Sequence, residues 1–348
     1  MLRRLPALAG TLCLTLAAGA LALELYLRMF LKQSLPRDAR TAGLLVPSNV
    51  PGLGYRLAAN FPGPWAPTDS LGIRWRPPDP VPPRHKILLI GDSVIFAGGV
   101  GFDSALGAML ERRLSAEPGI GPVAVLNSGV PVYNTAQEEV LLQDLAPRVH
   151  PDLIVVAYCM NDHAEPLALR GGQLMVPAAF ERPSAHPGFS IGGLLAGSRA
   201  LYYLRQRLRD LQLLYPEAFP GRLHYVRYLP NRPGWGASKQ ALLRIREVAR
   251  QSGARLLVAI FPVEPQLRLA DHTAQDDLLK FGRAHEISML DLYPTLQPHW
   301  REHLFFDYSV EVHAMDKLHL SPRGHELAAG AIAGALLAEP RRFLQPLR

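Results

Sequence analysis

Short apolar runs alternate with amphipathic stretches over most of the chain from residue 86 onward. The apolar runs are continuous, a pattern typical of strands that are buried on both faces of a parallel sheet. They lie at residues 87–90, 123–126, 153–158, 255–261 and 287–292. Stretches with helical periodicity lie between and after them, at residues 104–114, 135–145, 238–251, 275–285 and 321–337. The alternation predicts an α/β fold, a three-layer sandwich in which helices cover both faces of a central, mostly parallel sheet.

The N-terminal residues have a different pattern. Residues Leu5–Leu23 form an uncharged apolar stretch of 19 residues, preceded by Arg3 and Arg4. This length is close to the roughly 20 residues that cross a bilayer, and it exceeds the apolar part of a usual cleaved signal. We therefore expect residues 1–32 to be a transmembrane signal anchor in the cell inner membrane, with the remaining chain in the periplasm. The small residues Ala18-Gly-Ala20 leave cleavage and secretion open as the alternative.

Proline and glycine mark two regions that interrupt the strand–helix pattern. Residues 33–85 are rich in both, and we interpret them as a spacer with a few short extended pieces that leads into the domain. Residues 86–340 form the predicted domain. Within it, residues 165–236 break the alternation of strands and helices. We interpret these residues as an insertion, which either covers the substrate site or is a surface excursion without a role in it.

Charge and cysteine content exclude some functions. The net charge is +7, but the arginines are spread thinly and no basic run is interleaved with aromatic residues, so nucleic-acid binding is not expected. The two cysteines, Cys13 and Cys159, lie in the N-terminal apolar segment and at the end of a predicted strand, and are not expected to pair. The histidines show no metal-ligand spacing. The sequence therefore predicts neither a metal nor another cofactor.

Polar residues that could carry chemistry follow three of the predicted strands. Gly91-Asp92-Ser93 follows the run at 87–90, Asn127-Ser-Gly129 follows the second run, and Asn161-Asp162 follows the third. A fourth group, Asp316-Lys-Leu-His319, lies near the C-terminus. Because ligands bind at the carboxyl ends of the strands in open α/β sheets, we expect these groups to meet at one edge.

A serine, a glycine, an asparagine and a histidine in this order resemble the SGNH (GDSL-type) hydrolase family, in its bacterial members. Leu71-Gly-Ile-Arg74 before the first strand and His319-Leu-Ser-Pro-Arg-Gly-His325 strengthen the resemblance, which runs from about residue 50 to residue 338. It implies a flavodoxin-like fold and a serine esterase. One departure is Cys159, which stands where the family's third motif usually has a glycine.

The candidate nucleophile is Ser93, which needs an adjacent base to take its proton. Among the twelve histidines, His319 is the best candidate base because Asp316 lies three residues before it and can orient its ring. His313 and His325 are the nearest competitors. The resemblance further implies an oxyanion hole of three donors, listed in chain order: the backbone N–H of Ser93, the backbone N–H of Gly129 and the side-chain amide of Asn161.

These residues favour a serine esterase that hydrolyses an acyl ester, such as an O-acetyl ester, of a small molecule, a glycan or a lipid. One alternative is an O-acyltransferase that modifies an extracellular polysaccharide with the same residues. A second alternative is a carbohydrate-binding relative without catalytic activity. The presence of a nucleophile, a base and an orienting carboxylate together argues against the second, because a binding module has no need of all three.

Overall fold

The computed structural model describes residues 15, 18–26, 43–63, 66–74, 81–170, 173–175, 201, 204, 208, 229–306 and 317–344. Most of the predicted membrane segment and the greater part of the predicted insertion lie outside these residues, as do Asp316 and His313. Within the described residues, no helix combines the length and the apolar character that crossing a membrane requires.

The described residues contain nine strands. In chain order they are β1 (Leu45–Pro47), β2 (Tyr55–Leu57), β3 (His85–Ile90), β4 (Val123–Asn127), β5 (Leu153–Cys159), β6 (Ala168–Arg170), β7 (Gln173–Met175), β8 (Arg255–Phe261) and β9 (Met289–Asp291). Five of them form the central sheet in the order β4-β3-β5-β8-β9, and every pair in it is parallel. The predicted parallel sheet is therefore confirmed.

Helices cover both faces of this sheet. In chain order they are α1 (Ser93–Phe96), α2 (Leu106–Ser115), α3 (Thr135–Val149), α4 (Pro233–Gln251), α5 (Glu264–Leu269), α6 (Thr273–Ala284), α7 (Tyr293–Leu296), α8 (Pro322–Ala338) and α9 (Pro340–Phe343). The side chains of β3 alternate between the two faces. Leu88 and Ile90 pack with residues of α3 and α4, whereas Ile87 and Leu89 pack with residues of α2 and α8. Each such fully buried side chain contributes roughly 1.5–3 kcal/mol of hydrophobic stabilisation.

Two helices differ in how their N-terminal ends are capped. Ser321 caps α8 as expected for a serine followed by proline, and its hydroxyl accepts the Gly324 N–H at 3.3 Å. Asp103, just before the helix predicted at residues 104–114, could cap it, but in the structure Asp103 lies in a short 3₁₀ turn before α2 and forms an ion pair with Arg112 at 3.6 Å. The cap position of α2 is Ala105, which has no side-chain acceptor.

The part of the predicted spacer that the structure describes packs against the domain. Strands β1 and β2 form an antiparallel pair, and Leu53, Tyr55 and Leu57 are buried in the same apolar cluster as α3. The side-chain amide of Gln137 on α3 donates to the Leu53 carbonyl at 2.9 Å and to the Leu167 carbonyl at 3.0 Å. The first of these bonds ties the β1–β2 hairpin to the helix that follows β4.

A histidine between two carboxylates lies at the β9 edge of the sheet. His272 contacts Asp276 at 2.9 Å and Asp291 at 2.5 Å, and its side chain is 30% exposed. Burial disfavours the charged imidazole, but the hydrogen bonds to Asp291 and Asp276 outweigh burial and raise the pKa of His272 above its usual value. The contacts of this ring with Asp276 and Asp291 therefore join the start of α6 to the end of β9.

This pair of contacts predicts a pH-dependent contribution to stability. Because the pKa of His272 is higher in the folded chain than in the unfolded chain, its contribution is complete below about pH 6.5 and is lost as pH rises through the folded value. We expect the loss to be below about 1 kcal/mol for each ion pair. Urea unfolding of the wild type and of His272→Gln across this range checks it. Equal pH dependence in the two proteins would contradict the prediction.

Candidate active site

Ser93 lies directly beyond the carboxyl end of β3, the strand at the centre of the predicted site. The chain turns at Gly91, where an added Cβ would lie 2.7 Å from Ile95 and 3.2 Å from the Ala157 side chain. Asp92 then caps α1, and its Oδ1 accepts the Val94 N–H at 2.8 Å. Ser93 is therefore held as the first residue of α1 by a tight turn before it and a capped helix after it.

His319 lies against this serine. Its Nε2 is 2.8 Å from Ser93 Oγ, and both side chains are half-buried. The loop that carries His319 is fixed by its carbonyl, which accepts the Phe306 N–H at 3.0 Å, and by a β-bridge between Phe305 and Leu320. The serine–histidine pair that the sequence predicts is thus formed. Asp316, the predicted orienting carboxylate, lies outside the described residues and its role stays a prediction.

His325, a competing candidate base, is in a different environment. It lies in the first turns of α8 and is 1% exposed. Burial, followed by the positive charges of Arg74 and His319, lowers the pKa of His325 to about 3. His325 is therefore a neutral buried residue, while His319 is the histidine that contacts the candidate nucleophile Ser93.

Asn161 follows β5 and meets the same edge. Its side-chain Nδ2 donates to Asp92 Oδ2 at 2.7 Å, so one of its two amide hydrogens is used and the other remains. Asp92 has no role in the predicted site. In the structure, its two carboxylate oxygens join the cap of α1 to the amide of Asn161. Asp92 therefore fixes the position of Asn161 relative to Ser93.

Gly129 packs against α1. An added Cβ would lie 2.4 Å from the Phe96 nitrogen and 2.9 Å from the Ile95 carbonyl carbon, so only glycine fits here. The Gly129 N–H donates to Asn127 Oδ1 at 3.0 Å, and the Asn127 amide donates in turn to the Ile95 carbonyl at 2.7 Å. The predicted oxyanion role of this N–H stays a prediction, because the structure gives the N–H an internal partner.

Arg74 is a second residue of the site region without a predicted role. It is 4% exposed, and its guanidinium donates to the carbonyls of Phe96 at 2.7 Å, Ala97 at 3.3 Å and Val100 at 2.8 Å. Burial lowers the pKa of this side chain. Arg74 thereby fastens the end of the nucleophile-bearing helix. The signal in the sequence was the Leu71-Gly-Ile-Arg74 motif, which indicated the family but not this contact.

Several buried acidic groups lie beneath Ser93. One carboxylate oxygen of Asp92, one of Asp162 and the Cys159 sulfur lie within 4.8 Å of one another. Burial raises the pKa of Glu138 well above its usual range. The pKa of Asp162 is also raised well above its usual range, mainly by burial and next by the negative charge of Glu138. Asp162 Oδ2 accepts the Cys159 N–H at 2.8 Å, and both Asp92 oxygens accept N–H groups. Through these hydrogen bonds the carboxylates of Asp92 and Asp162 hold the backbone near Ser93 and Cys159 in place.

Cys159 is a poor competitor for the role of nucleophile. It is fully buried, and burial raises the pKa of its thiol well above the usual value. Ser93, in contrast, is partly exposed to solvent and has His319 in hydrogen-bond reach. An activated hydroxyl beside an amide donor is an arrangement suited to acyl transfer.

The sequence of the chain is similar to one family of known proteins. The model of the GDSL-like lipase/acylhydrolase family matches residues 89–327. No curated protein sequence matches the chain. A lipase/acylhydrolase from Enterococcus faecalis is similar in structure, with a TM-score of 0.41 and 18% identity, covering 76% of this chain and 99% of that one. A catalytic mutant of Axe2, an acetylxylan esterase from Geobacillus stearothermophilus, is also similar, with a TM-score of 0.42 and 12% identity, covering 77% and 99%.

The family match covers more than half of the chain and includes all four of the polar groups that the sequence analysis describes. It begins in β3, before Ser93, and ends in α8, beyond His319. The chain therefore belongs to the GDSL-like lipase/acylhydrolase family and is a hydrolase of ester bonds.

Proposed function

We propose that this protein hydrolyses an acyl ester, such as an O-acetyl ester, with Ser93 as nucleophile and a Ser93–His319–Asp316 triad. The observation that carries the proposal is the 2.8 Å contact between Ser93 Oγ and His319 Nε2, at the carboxyl end of β3 in the central sheet. A serine hydroxyl is a weak nucleophile without a base in hydrogen-bond reach, and this contact supplies one.

The proposed reaction has two steps. His319 takes the proton of Ser93 as Oγ attacks the ester carbonyl, and it returns that proton to the departing alcohol. Water then attacks the acyl-serine as His319 takes its proton, and His319 returns that proton to Ser93 Oγ as the acyl–oxygen bond breaks and the acid leaves. Asp316 would hold the imidazole in the required orientation. The free amide hydrogen of Asn161 and the N–H of Ser93 would donate to the oxyanion that forms in both steps.

The same residues could transfer the acyl group to a sugar hydroxyl instead of water. We also propose that the site works outside the cytoplasmic membrane, and this part of the proposal rests on the apolar stretch Leu5–Leu23 in the sequence. The substrate alcohol would then be a glycan, lipid or small molecule of that compartment. A simple measurement separates hydrolysis from transfer.

The test uses the full chain and p-nitrophenyl esters with acyl groups of increasing length. Release of p-nitrophenol is measured with and without an oligosaccharide acceptor, and the acyl products are identified by mass spectrometry. Free acid as the only product would support the esterase. Acylated oligosaccharide as the main product would support the transferase. Absence of turnover at every acyl length, in a folded protein, would argue against both.

A further inference from the structure

The loop that carries His319 is held on two sides. After His319, the β-bridge between Phe305 and Leu320 holds the chain. Before His319, the Lys317 carbonyl accepts a hydrogen bond from the Glu264 N–H at 3.0 Å. The side of the loop that precedes the histidine is therefore attached to a distant part of the chain.

Glu264 is the first residue of α5, in the turn that follows β8. The Gln266 side chain fixes this turn, because its Oε1 accepts the Val263 N–H at 3.1 Å and its Nε2 donates to Gln275 Oε1 at 2.7 Å. Gln266 and Gln275 are both fully buried, and Gln275 belongs to α6. The Glu264 N–H is therefore presented to the loop by a turn that is anchored to the sheet and to α6.

The Glu264 carboxylate makes a second contact with the same loop. Its Oε1 lies 3.2 Å from Arg268 Nε and 4.0 Å from Lys317 Nζ. The Glu264 side chain is only 11% exposed, and a carboxylate so far removed from water is costly unless cations accompany it. Lys317 therefore contacts Glu264 twice, through its carbonyl and through its ammonium group.

Strand β8 places this turn at the sheet edge that also carries the nucleophile. The strands β3, β5 and β8 are neighbours and run parallel. Each is followed by a residue of the site region: Ser93 after β3, Asn161 after β5 and Glu264 after β8. Phe261, at the end of β8, pairs with Cys159, two residues before Asn161. The loop of the base is therefore attached to the same edge of the sheet as the nucleophile.

We propose that Glu264 is a positioning residue of the active site, which holds the loop of His319 at the distance from Ser93 that proton transfer requires. The proposal rests on the proposed function, since it explains how the base is held 2.8 Å from the nucleophile. Lys317 lies two residues before His319, so a displacement of the Lys317 carbonyl moves the imidazole. The predicted orienting residue, Asp316, directly precedes Lys317 and would be restrained by the same contacts.

Two substitutions in the full chain separate the two contacts of Glu264. Glu264→Ala removes the carboxylate and keeps the N–H, whereas Glu264→Pro removes both. Proline is compatible with the backbone here, because it is favoured at the first position of a helix and Val263 before it is extended, with φ −98° and ψ 158°. We expect kcat to fall about 10-fold in Glu264→Ala and about 10²-fold in Glu264→Pro, since a displacement of about 1 Å can cost that much. KM is expected to change much less.

Stability and kcat are expected to separate in this pair of variants. The hydrogen bond that proline removes is offset by the lower entropy of the unfolded chain, so both variants should unfold at similar temperatures. A merely structural role of Glu264 would therefore leave the two folded variants equally active. Equal kcat in both would overturn the role of the N–H, and a wild-type kcat in Glu264→Ala would overturn the role of the carboxylate.

Two lysines provide a matched control for the ion pair. The side chains of Lys317 and Lys239 are both 22% exposed, and Lys239 Nζ lies 2.9 Å from Asp277, between α4 and α6. We expect kcat to fall in Lys317→Met by about the same factor as in Glu264→Ala, to recover in Lys317→Arg and to stay at the wild-type value in Lys239→Met. Equal losses in the two methionine variants would overturn the positioning role, and an equally low kcat in Lys317→Arg would overturn the role of the charge.

Labelling with a fluorophosphonate separates this proposal from the proposed function. In this reaction Ser93 Oγ bonds to phosphorus, fluoride leaves and His319 takes the proton, so the rate reports the serine–histidine contact without an ester substrate. If the wild type is labelled at Ser93 but hydrolyses no ester, the hydrolase proposal fails. Slower labelling of Glu264→Pro than of Glu264→Ala would then still support the positioning role, and equal rates would overturn it. Absence of labelling at Ser93 in the wild type would overturn both proposals.

Discussion

Replacement of Ser93 by alanine is expected to lower kcat for ester hydrolysis by about 10⁴- to 10⁶-fold. The hydroxyl is the group that His319 contacts at 2.8 Å, and no other described hydroxyl or thiol is within hydrogen-bond reach of that Nε2. Without it no acyl-enzyme forms, and only the oxyanion donors remain to assist attack by water. Removal of the base with His319→Ala should cost nearly as much, and the double variant should be no worse than either single one, because the two residues act as a unit.

Ser128→Ala is the matched control. Its hydroxyl is 2% exposed and donates to the Leu89 carbonyl at 2.8 Å, close to the site but in a structural role. The free energy of unfolding of this variant should fall by about 1 kcal/mol while kcat stays unchanged. Initial rates with a short p-nitrophenyl ester, together with thermal unfolding of the wild type and the four variants, check the comparison. A Ser93→Ala protein that keeps more than about one per cent of the wild-type rate would contradict the nucleophile assignment.

Gly129→Ala is expected to reduce both stability and activity. The new methyl group would meet three backbone groups of the segment that carries the nucleophile: Phe96 N at 2.4 Å, Ile95 C at 2.9 Å and Asp92 O at 3.0 Å. Backbone atoms cannot move aside as a flexible side chain can, so α1 has to shift. Overpacking of this kind costs about 1–3 kcal/mol or more in the free energy of unfolding. A displacement of Ser93 by about 1 Å lowers kcat by about 10²-fold.

Gly101→Ala provides the control for this substitution. Gly101 lies five residues after α1, has a φ of −58° and would place its new Cβ at least 4 Å from other atoms. We expect both its kcat and its free energy of unfolding to match those of the wild type within about 0.5 kcal/mol. If the two alanine variants proved equally stable and active, the tight contact between Gly129 and α1 would be disproved.

The central sheet could be predicted from the sequence because its strands are continuous apolar runs. The prediction for β8 agrees with the structure at both ends, and that for β4 differs by one residue. Such runs carry their own signal, since burial on both faces requires apolar residues at every position. The pairing of Ser93 with His319 was also predictable, because each belongs to a recognisable motif.

The supporting contacts of the site could not be predicted, because they join residues that are far apart in the chain. The contact from Asp92 to Asn161 spans 69 positions, and that from Tyr55 to Pro131 spans 76. The residues next to each partner in the sequence do not indicate either contact. The hairpin that contains Tyr55 was interpreted as part of a spacer because proline and glycine dominate its surroundings. Its strands have only 3 residues each, so the alternation of Leu53, Tyr55 and Leu57 is too short to indicate a strand in the sequence.

The order of strands in the sheet has a consequence for how the chain reaches its native state. Pairing of β5 with β8 brings together residues about 100 positions apart, and this is among the most extensive contacts between elements in the structure. Closure of so long a loop lowers the conformational entropy of the chain. This cost arises before the contacts between β5 and β8 can form and offset it. We therefore expect slow refolding from denaturant, with β5 exposing an unpaired apolar edge until β8 arrives, so that yield should fall steeply as protein concentration rises.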